Sequence, residues 1–428
     1  MPMTGRRRPT SPRPYKLLTS TAAAGALLVT GCGALPGATG GSREPVTVVT
    51  WAPSGVAGPD SVNMAGVTAM ARTYARWANG NGGLDGHKLR VVTCDEDDTS
   101  IGAANCARLA VEEKAVAVVG SYSRHGSAFM PPLEAARIPY IGGYGASDEE
   151  FSSYNSYPVN GGQPALLAGN ARQLARSCER VSVVRPDTLI GDGQAWLLRT
   201  GLTEAGRPAP ADIRAPDSAT SYDAAAGPAL QAAGASDGCV TAVLGKRTGT
   251  FFDSFRRLEP SSGSVRISSV LGSVDQPLID STGGRNSPFE GAYITGWYPD
   301  TGDARWDGMR NVIRKHAFGD NRIDPDDTGV QTTWIAYTVL KEIVQAIDSP
   351  EITSWKLTSA LNEGTSAETG GLTPVLRWGF KDVLGSSAYP RIVNTRVTFQ
   401  VVRDGRLVAD RKGFMDVTKT LSDASARR

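Results

Sequence analysis

The 428 residues carry 45 Lys and Arg against 43 Asp and Glu, a formal net charge of +2, and only three histidines. A near-neutral chain without a dense Lys/Arg block is not built to hold nucleic acid. Three scattered histidines and no CxxC pair leave zinc without a ligand set, so no metal and no cofactor are expected.

The first residues read as a targeting segment. Arg6, Arg7, Arg8, Arg13 and Lys16 form a positive region, and Leu17 to Thr30 is an uncharged stretch rich in Ala and Leu. This is the layout of a secretory signal, and the apolar run is about two-thirds of the roughly 20 residues that a membrane-spanning helix needs. Val29-Thr30-Gly31-Cys32 closes it and resembles the lipobox of bacterial lipoproteins. The expectation is cleavage before Cys32, with lipid attached to that cysteine on the outer face of the cell membrane. An ordinary signal peptide with an incidental cysteine is the plainer alternative. Residues 1–31 are thus the signal and 32–44 a flexible tether, since Gly33 to Glu44 offers little to bury.

About 380 residues remain, which is long for one core and ordinarily means two domains. With Cys32 set aside, an even four cysteines are left, Cys94, Cys106, Cys178 and Cys239, and two disulfides suit an exported chain. Cys94 and Cys106 would close a short loop. Cys178 and Cys239 each precede an apolar run, Val181 to Val184 and Val240 to Leu244, and would start side by side if those runs are parallel neighbours.

Strand and helix patterns alternate along the chain. Val46 to Trp51 predicts a strand, Ser61 to Asn79 a helix, Lys88 to Cys94 a strand and Ala103 to Glu113 a helix. Ala115 to Val119, a helix at Ser127 to Ala136 and a strand at Pro139 to Gly142 follow. The pattern restarts with helices at Ala165 to Arg176, Gly193 to Ala205 and Phe251 to Leu258. Strands at Arg180 to Val184, Cys239 to Leu244, Val265 to Val270 and Gly291 to Trp297 interleave with them. Helices at Trp306 to Phe318 and Gly329 to Ile347 precede a hairpin, Arg396 to Arg403 and Arg406 to Val408, turning at Asp404-Gly405. Such alternation predicts parallel sheets covered on both faces. Two α/β halves in series would put the carboxyl ends of their strands on both sides of one cleft, where open sheets bind ligands.

Four pieces of sequence resemble the periplasmic binding protein type I group, in particular the branched-chain amino acid receptors of ABC importers. Asn79-Gly80-Asn81-Gly82-Gly83-Leu84-Asp85-Gly86 is similar to the family's first helix end, with glycines for positive φ. Cys94-Asp95-Glu96-Asp97-Asp98 matches the acidic stretch after the second strand. Val118-Val119-Gly120-Ser121-Tyr122-Ser123 matches the third strand and its loop, and Ile138-Pro139-Tyr140-Ile141 with Ala146-Ser147 the fourth. The resemblance covers Val46 to about Val408. It implies two Rossmann-like lobes with parallel central sheets joined by a multi-strand hinge. Lobe 1 would be 45–158 plus about 298–385, and lobe 2 would be 159–297 plus about 386–420.

The resemblance also implies ligand contacts. Ser123 and Gly145-Ala146-Ser147 occupy the positions that hold a ligand's carboxylate and amine. Ile190-Gly191-Asp192-Gly193 and Arg247 or Thr248 fall in the loops of the second lobe. Leu271 stands where amino acid receptors place an acid, which puts an amino acid ligand in doubt. Read from the residues alone, Arg124 and Arg247 would sit on loops from opposite lobes, with guanidinium forks suited to carboxylate or phosphate. Trp51, Tyr122 and Tyr144 would offer flat surfaces. Solvated loop charges and plain packing are the alternatives, and Asp192 is equally a helix cap.

Enzyme readings are weaker. Ser123-Arg124-His125 places a base two residues from a serine without a Gly-x-Ser-x-Gly elbow. The Asp95 to Asp98 cluster lacks the spacing of a calcium loop and reads as a solvated strand exit. The sequence therefore predicts an extracytoplasmic, lipid-anchored, monomeric solute-binding protein, not an enzyme. Its partners would be a small-molecule solute, an ABC permease in the membrane and no nucleic acid. A ligand-sensing lipoprotein and an exported α/β hydrolase are the alternatives.

Overall fold

The computed structural model describes residues 43–55, 62–216, 218–234, 237–258 and 265–425. The expected signal segment, Cys32 and the tether up to residue 42 lie outside the described residues.

Five strands and their connecting helices come first: β1 (Val46–Trp51), α1 (Ala65–Gly80), β2 (Leu89–Cys94), α2 (Ser100–Glu112), β3 (Ala117–Val119), α3 (Gly126–Ala136), β4 (Tyr140–Ile141), α4 (Glu149–Ser152) and β5 (Ser156–Tyr157). These strands form one all-parallel sheet in the order β2-β1-β3-β4-β5. The turn between α1 and β2 follows from its glycines. Gly82, Gly83 and Gly86 all have positive φ, and a Cβ on Gly83 would sit 2.1 Å from the His87 carbonyl oxygen. Asn79 secures the turn by pairing its amide with both the N–H and the C=O of Leu89, at 2.8 and 2.9 Å.

The second series is α5 (Gly162–Leu174), β6 (Arg180–Pro186), α6 (Leu189–Glu204), β7 (Ala211–Ala215), α7 (Asp223–Ala233), β8 (Gly238–Ala242), α8 (Thr248–Leu258), β9 (Arg266–Val270), α9 (Gln276–Ser281) and β10 (Tyr293–Gly296). Then come α10 (Asp307–His316), α11 (Thr328–Ile347), α12 (Ser354–Asn362), β11 (Arg396–Arg403), β12 (Arg406–Asp416) and α13 (Thr418–Ser425). The second sheet runs β12-β11-β10-β9-β8-β6-β7, parallel except where β11 pairs with β10 and with β12. β12 extends beyond Val408 because shifts of register opposite Phe399 let the strand run on past an irregularity at Gly413, whose φ is +82°. Not expected from the sequence are α4, β5, β7, α7, α9, α12 and α13.

Helices α10 and α11 pack on α1, whereas α5, α6 and α13 pack together on the second sheet. The chain therefore crosses between the sheets after β5, after β10 and before β11. Side chains lace these crossings together. Asn394 Nδ2 donates to the Val159 carbonyl at 3.0 Å and Thr398 Oγ1 to the Tyr298 carbonyl at 2.7 Å.

The four cysteines pair as Cys94–Cys106 and Cys178–Cys239. β6 and β8 are parallel neighbours with Val181 opposite Cys239, which brings the second pair together. Near the start of the described chain, Arg43 donates to Asp85 and Asp348 at 2.6 and 2.7 Å. His87, fully buried, lies between the carbonyls of Glu44 and Ser349 at 2.6 and 2.9 Å. The entry to β1 is thus pinned to the carboxyl end of α11. Among the described residues, no helix is long and apolar enough to cross a membrane.

Candidate functional site

Loops leaving β3 and β4 of the first sheet and β8, β9 and β10 of the second line one cavity of about 780 Å³. Its volume is that of a small-molecule site, and it lies at the carboxyl ends of the strands. Tyr122 and Arg124 enter from β3, and Tyr144, Gly145 and Ala146 from β4. Lys246 and Arg247 follow β8, Leu271 and Asp275 follow β9, Trp297 follows β10, and Asp327 opens α11.

Three aromatic rings form the floor. Tyr122 and Tyr144 pack with centroids 5.0 Å apart, and Tyr144 meets Trp297 edge-on at 5.3 Å and 87°. Trp297 is held by donating its indole N–H to the Gly162 carbonyl at 2.9 Å. This row joins the two sheets and offers π faces and edges with phenolic tips. Gly272 admits the Tyr144 hydroxyl: its φ is +84°, and a Cβ there would come 3.1 Å from Tyr144 Oη.

The charged groups divide by side. Arg124 is held by Asp98 through Nε and Nη2 at 3.1 and 2.6 Å, so much of its charge is met within the chain. Arg247 faces the same cavity from the second sheet, beside Lys246. Asp275 and Asp327 are helix caps, accepting from Leu278 N at 3.0 Å and Val330 N at 2.9 Å. Burial raises both carboxyl groups above the ordinary range, that of Asp327 to about 6, with the Asp275 charge adding to the rise. Neither is ion-paired to Lys or Arg among the described residues. Sequence reasoning missed Trp297, Asp275 and Asp327. An acid was sought at Leu271, which instead contributes an apolar wall; Asp275 stands four residues further along the same loop.

Four residues expected at the site do not line the cavity. Trp51 is fully buried, packed against Phe129 at 5.4 Å and Tyr140 at 5.8 Å. Ser123 is buried and accepts the His125 backbone N–H at 3.1 Å. Ser147 donates its hydroxyl to Glu150 at 3.3 Å. Asp192 pairs with Arg185 at 2.6 Å, and the cap of α6 is Thr188. Ser123, Ser147 and Asp192 are held by local hydrogen bonds or an ion pair, and Trp51 by packing alone, its indole N–H buried without an acceptor.

The acidic stretch after β2 is solvated at Asp95 and Asp97, as expected, but Glu96 and the Asp98 side chain turn inward. Asp95 Oδ1 accepts from Ser54 N and Asp97 N, and Asp98 Oδ2 accepts from Val62 N at 3.0 Å and from Arg124. Glu96 is fully buried, and no hydrogen bond of good geometry reaches either of its oxygens. Burial, opposed by the nearby Ser123 hydroxyl, pushes its carboxyl up to about 8. Ser123 and His125 form no nucleophile–base pair. The His125 ring faces Ser100 Oγ at 3.2 Å and Asp98 at 3.8 Å. No cluster of three or more His, Cys, Asp or Glu among the described residues suits a metal ion.

The model of a family described as periplasmic binding protein matches residues 53–382, well over half of the chain. The chain belongs to the periplasmic binding protein family. Solved structures share the fold of this periplasmic binding protein at low identity. An extracellular ligand-binding receptor from Verminephrobacter eiseniae superposes with a TM-score of 0.68 at 17% identity, covering 85% of this chain and 99% of the other. A branched-chain amino acid ABC transporter protein from Thermus thermophilus with bound valine gives 0.66 at 16% identity, covering 89% and 99%. A solute-binding protein of an ABC transporter from R. palustris, in complex with 4-hydroxybenzoate, gives 0.68 at 15% identity, covering 87% and 97%. No curated protein matches this periplasmic binding protein by sequence.

Proposed function

We propose that the protein is the extracytoplasmic solute-binding lipoprotein of an ABC importer. It captures a small polar solute between two lobes, 45–158 plus about 298–385 and 159–297 plus about 386–420, and delivers it to a membrane permease. The observation that carries this reading is the cavity of about 780 Å³ lined from both sheets. A solute touching both walls binds the closed form better than the open one, and that difference drives closure. The protein performs no covalent chemistry.

The walls narrow the solute class. Tyr122, Tyr144 and Trp297 suit a flat or apolar body, Asp275 and Asp327 an amine or amide, and Lys246 and Arg247 an anionic end. Amino acids, amides and small or aromatic carboxylates fit this description. Valine and 4-hydroxybenzoate, bound in two relatives of the same fold, belong to it as well. The test is a thermal-shift panel of those compounds on the purified protein. A ligand at a hundred times its Kd adds about 2.7 kcal/mol of stability and raises the melting temperature visibly. A panel with no member that does so counts against the reading.

A further inference from the structure

Gly145 and Ala146 of the β4–α4 loop line the cavity, and consecutive backbone N–H groups in such a loop make an anion acceptor. Here the donors are already engaged. Gly145 N donates to Glu150 Oε2 at 2.9 Å, while Ala146 N and Ser147 N donate to Oε1 at 2.9 and 3.1 Å. The Ser147 hydroxyl adds a fourth bond. Glu150 is 1% exposed, so its carboxylate is an internal occupant and not a surface charge.

The loop is shaped around that carboxylate. Gly143 must lack a side chain, because a Cβ there would lie 2.0 Å from Glu150 Oε2. Gly145 has φ +91°, and a Cβ would press on Asn160 Oδ1 at 2.9 Å and the Phe151 ring at 3.0 Å. Asn160 in turn donates to the Tyr144 carbonyl at 3.2 Å, so an acceptor of the same loop is engaged too. Ser123, on the neighbouring loop, is likewise engaged, accepting the His125 backbone N–H.

We infer that Glu150 is a specificity-determining residue, keeping the N–H groups of Gly145, Ala146 and Ser147 from any ligand carboxylate. The solute therefore meets the β4–α4 loop with a part other than a carboxylate. This rests on the solute-binding reading above.

The test uses the mature protein and its Glu150→Ala and Glu150→Gln variants, melted in sodium formate and in sodium chloride at equal ionic strength. Formate should raise the melting temperature of the Ala variant by about 3 °C over chloride, saturating with concentration. The wild type should melt alike in both salts, and the Gln variant, whose amide still fills the space, should respond less than the Ala variant. Formate stabilising the wild type as much as the Ala variant, or leaving the Ala variant unchanged, overturns the assignment. Should the Ala variant not fold, hydrogen exchange on the wild type decides. The amides of Gly145, Ala146 and Ser147 should exchange about 100-fold or more slower than unbonded loop amides. Exchange at free-loop rates overturns it equally. Failure of the solute-binding reading is separate: no compound of the panel would bind the wild type, whatever formate does.

Discussion

Asp327 and Asp275 line one cavity from opposite sheets, each fixed by the backbone N–H three residues on, and the charge of Asp275 raises the Asp327 carboxyl. Burial is the larger cause. A carboxyl raised in the folded state stabilises below its unfolded value, ordinarily near 3.8, and that contribution is lost as pH climbs through about 6. Asp327→Asn keeps a capping side chain and removes the loss. The ligand-free variant should melt with the wild type near pH 4 and above it at pH 7.5. Binding of amine-bearing ligands should weaken about tenfold, since a charge-assisted hydrogen bond is given up. Melting curves at the two pH values and titration calorimetry read both effects.

Glu96 gives a second pH dependence at a position away from the cavity wall. Its carboxyl is raised to about 8 by burial, so stability should decline as pH rises from the ordinary value near 4.5 through about 8. Glu96→Gln should flatten the melting temperature between pH 6 and 9 and exceed the wild type at the alkaline end. An unchanged slope would show that the carboxyl is ionised and paired in solution.

Gly272 occupies a backbone conformation that favours glycine. With φ at +84° and Tyr144 Oη 3.1 Å from a modest Cβ, Gly272→Ala combines backbone strain of about 1–2 kcal/mol with displacement of the tyrosine tip. The expected outcome is a lower melting temperature together with weaker ligand affinity. A neighbouring substitution such as Ser281→Ala, on an exposed helix face, should leave affinity alone.

The disulfides should contribute unequally. Cys178–Cys239 spans 61 residues and Cys94–Cys106 only 12. Chain entropy gives about 4 and about 3 kcal/mol respectively. Paired Cys→Ala variants compared by urea denaturation should show the larger loss for the first pair.

Much of this fold is legible in the sequence where periodicity and punctuation coincide. β1 and β11 are bounded as their apolar runs predict, and the glycines after α1 mark a turn in which Gly83 has no room for a side chain. What escaped has a physical cause. α7 is a run of alanines interrupted by Gly227 and Pro228, with too little apolar contrast to show a face. β5 pairs with β4 over only two residues, too short for any pattern. The site was legible by neighbourhood and not by atom. Tyr122, Arg124, Tyr144, Arg247 and Leu271 reach the cavity because strand ends converge there. Ser123 and Ser147 do not, because inward hydrogen bonds to His125 N and Glu150 claim them, and such competition is invisible along a chain. Asp327 lies just before the helix expected from Gly329, and only tertiary folding places it at the cavity.

Helix α11 begins at the cavity with Asp327 and Thr328 and ends where Asp348 and Ser349 receive Arg43 and His87. Its 20 residues measure about 30 Å. The hold on β1 and the mouth of the cavity therefore stand at opposite ends of one helix, so a substitution at Arg43 or His87 loosens the first strand without touching a wall of the cavity.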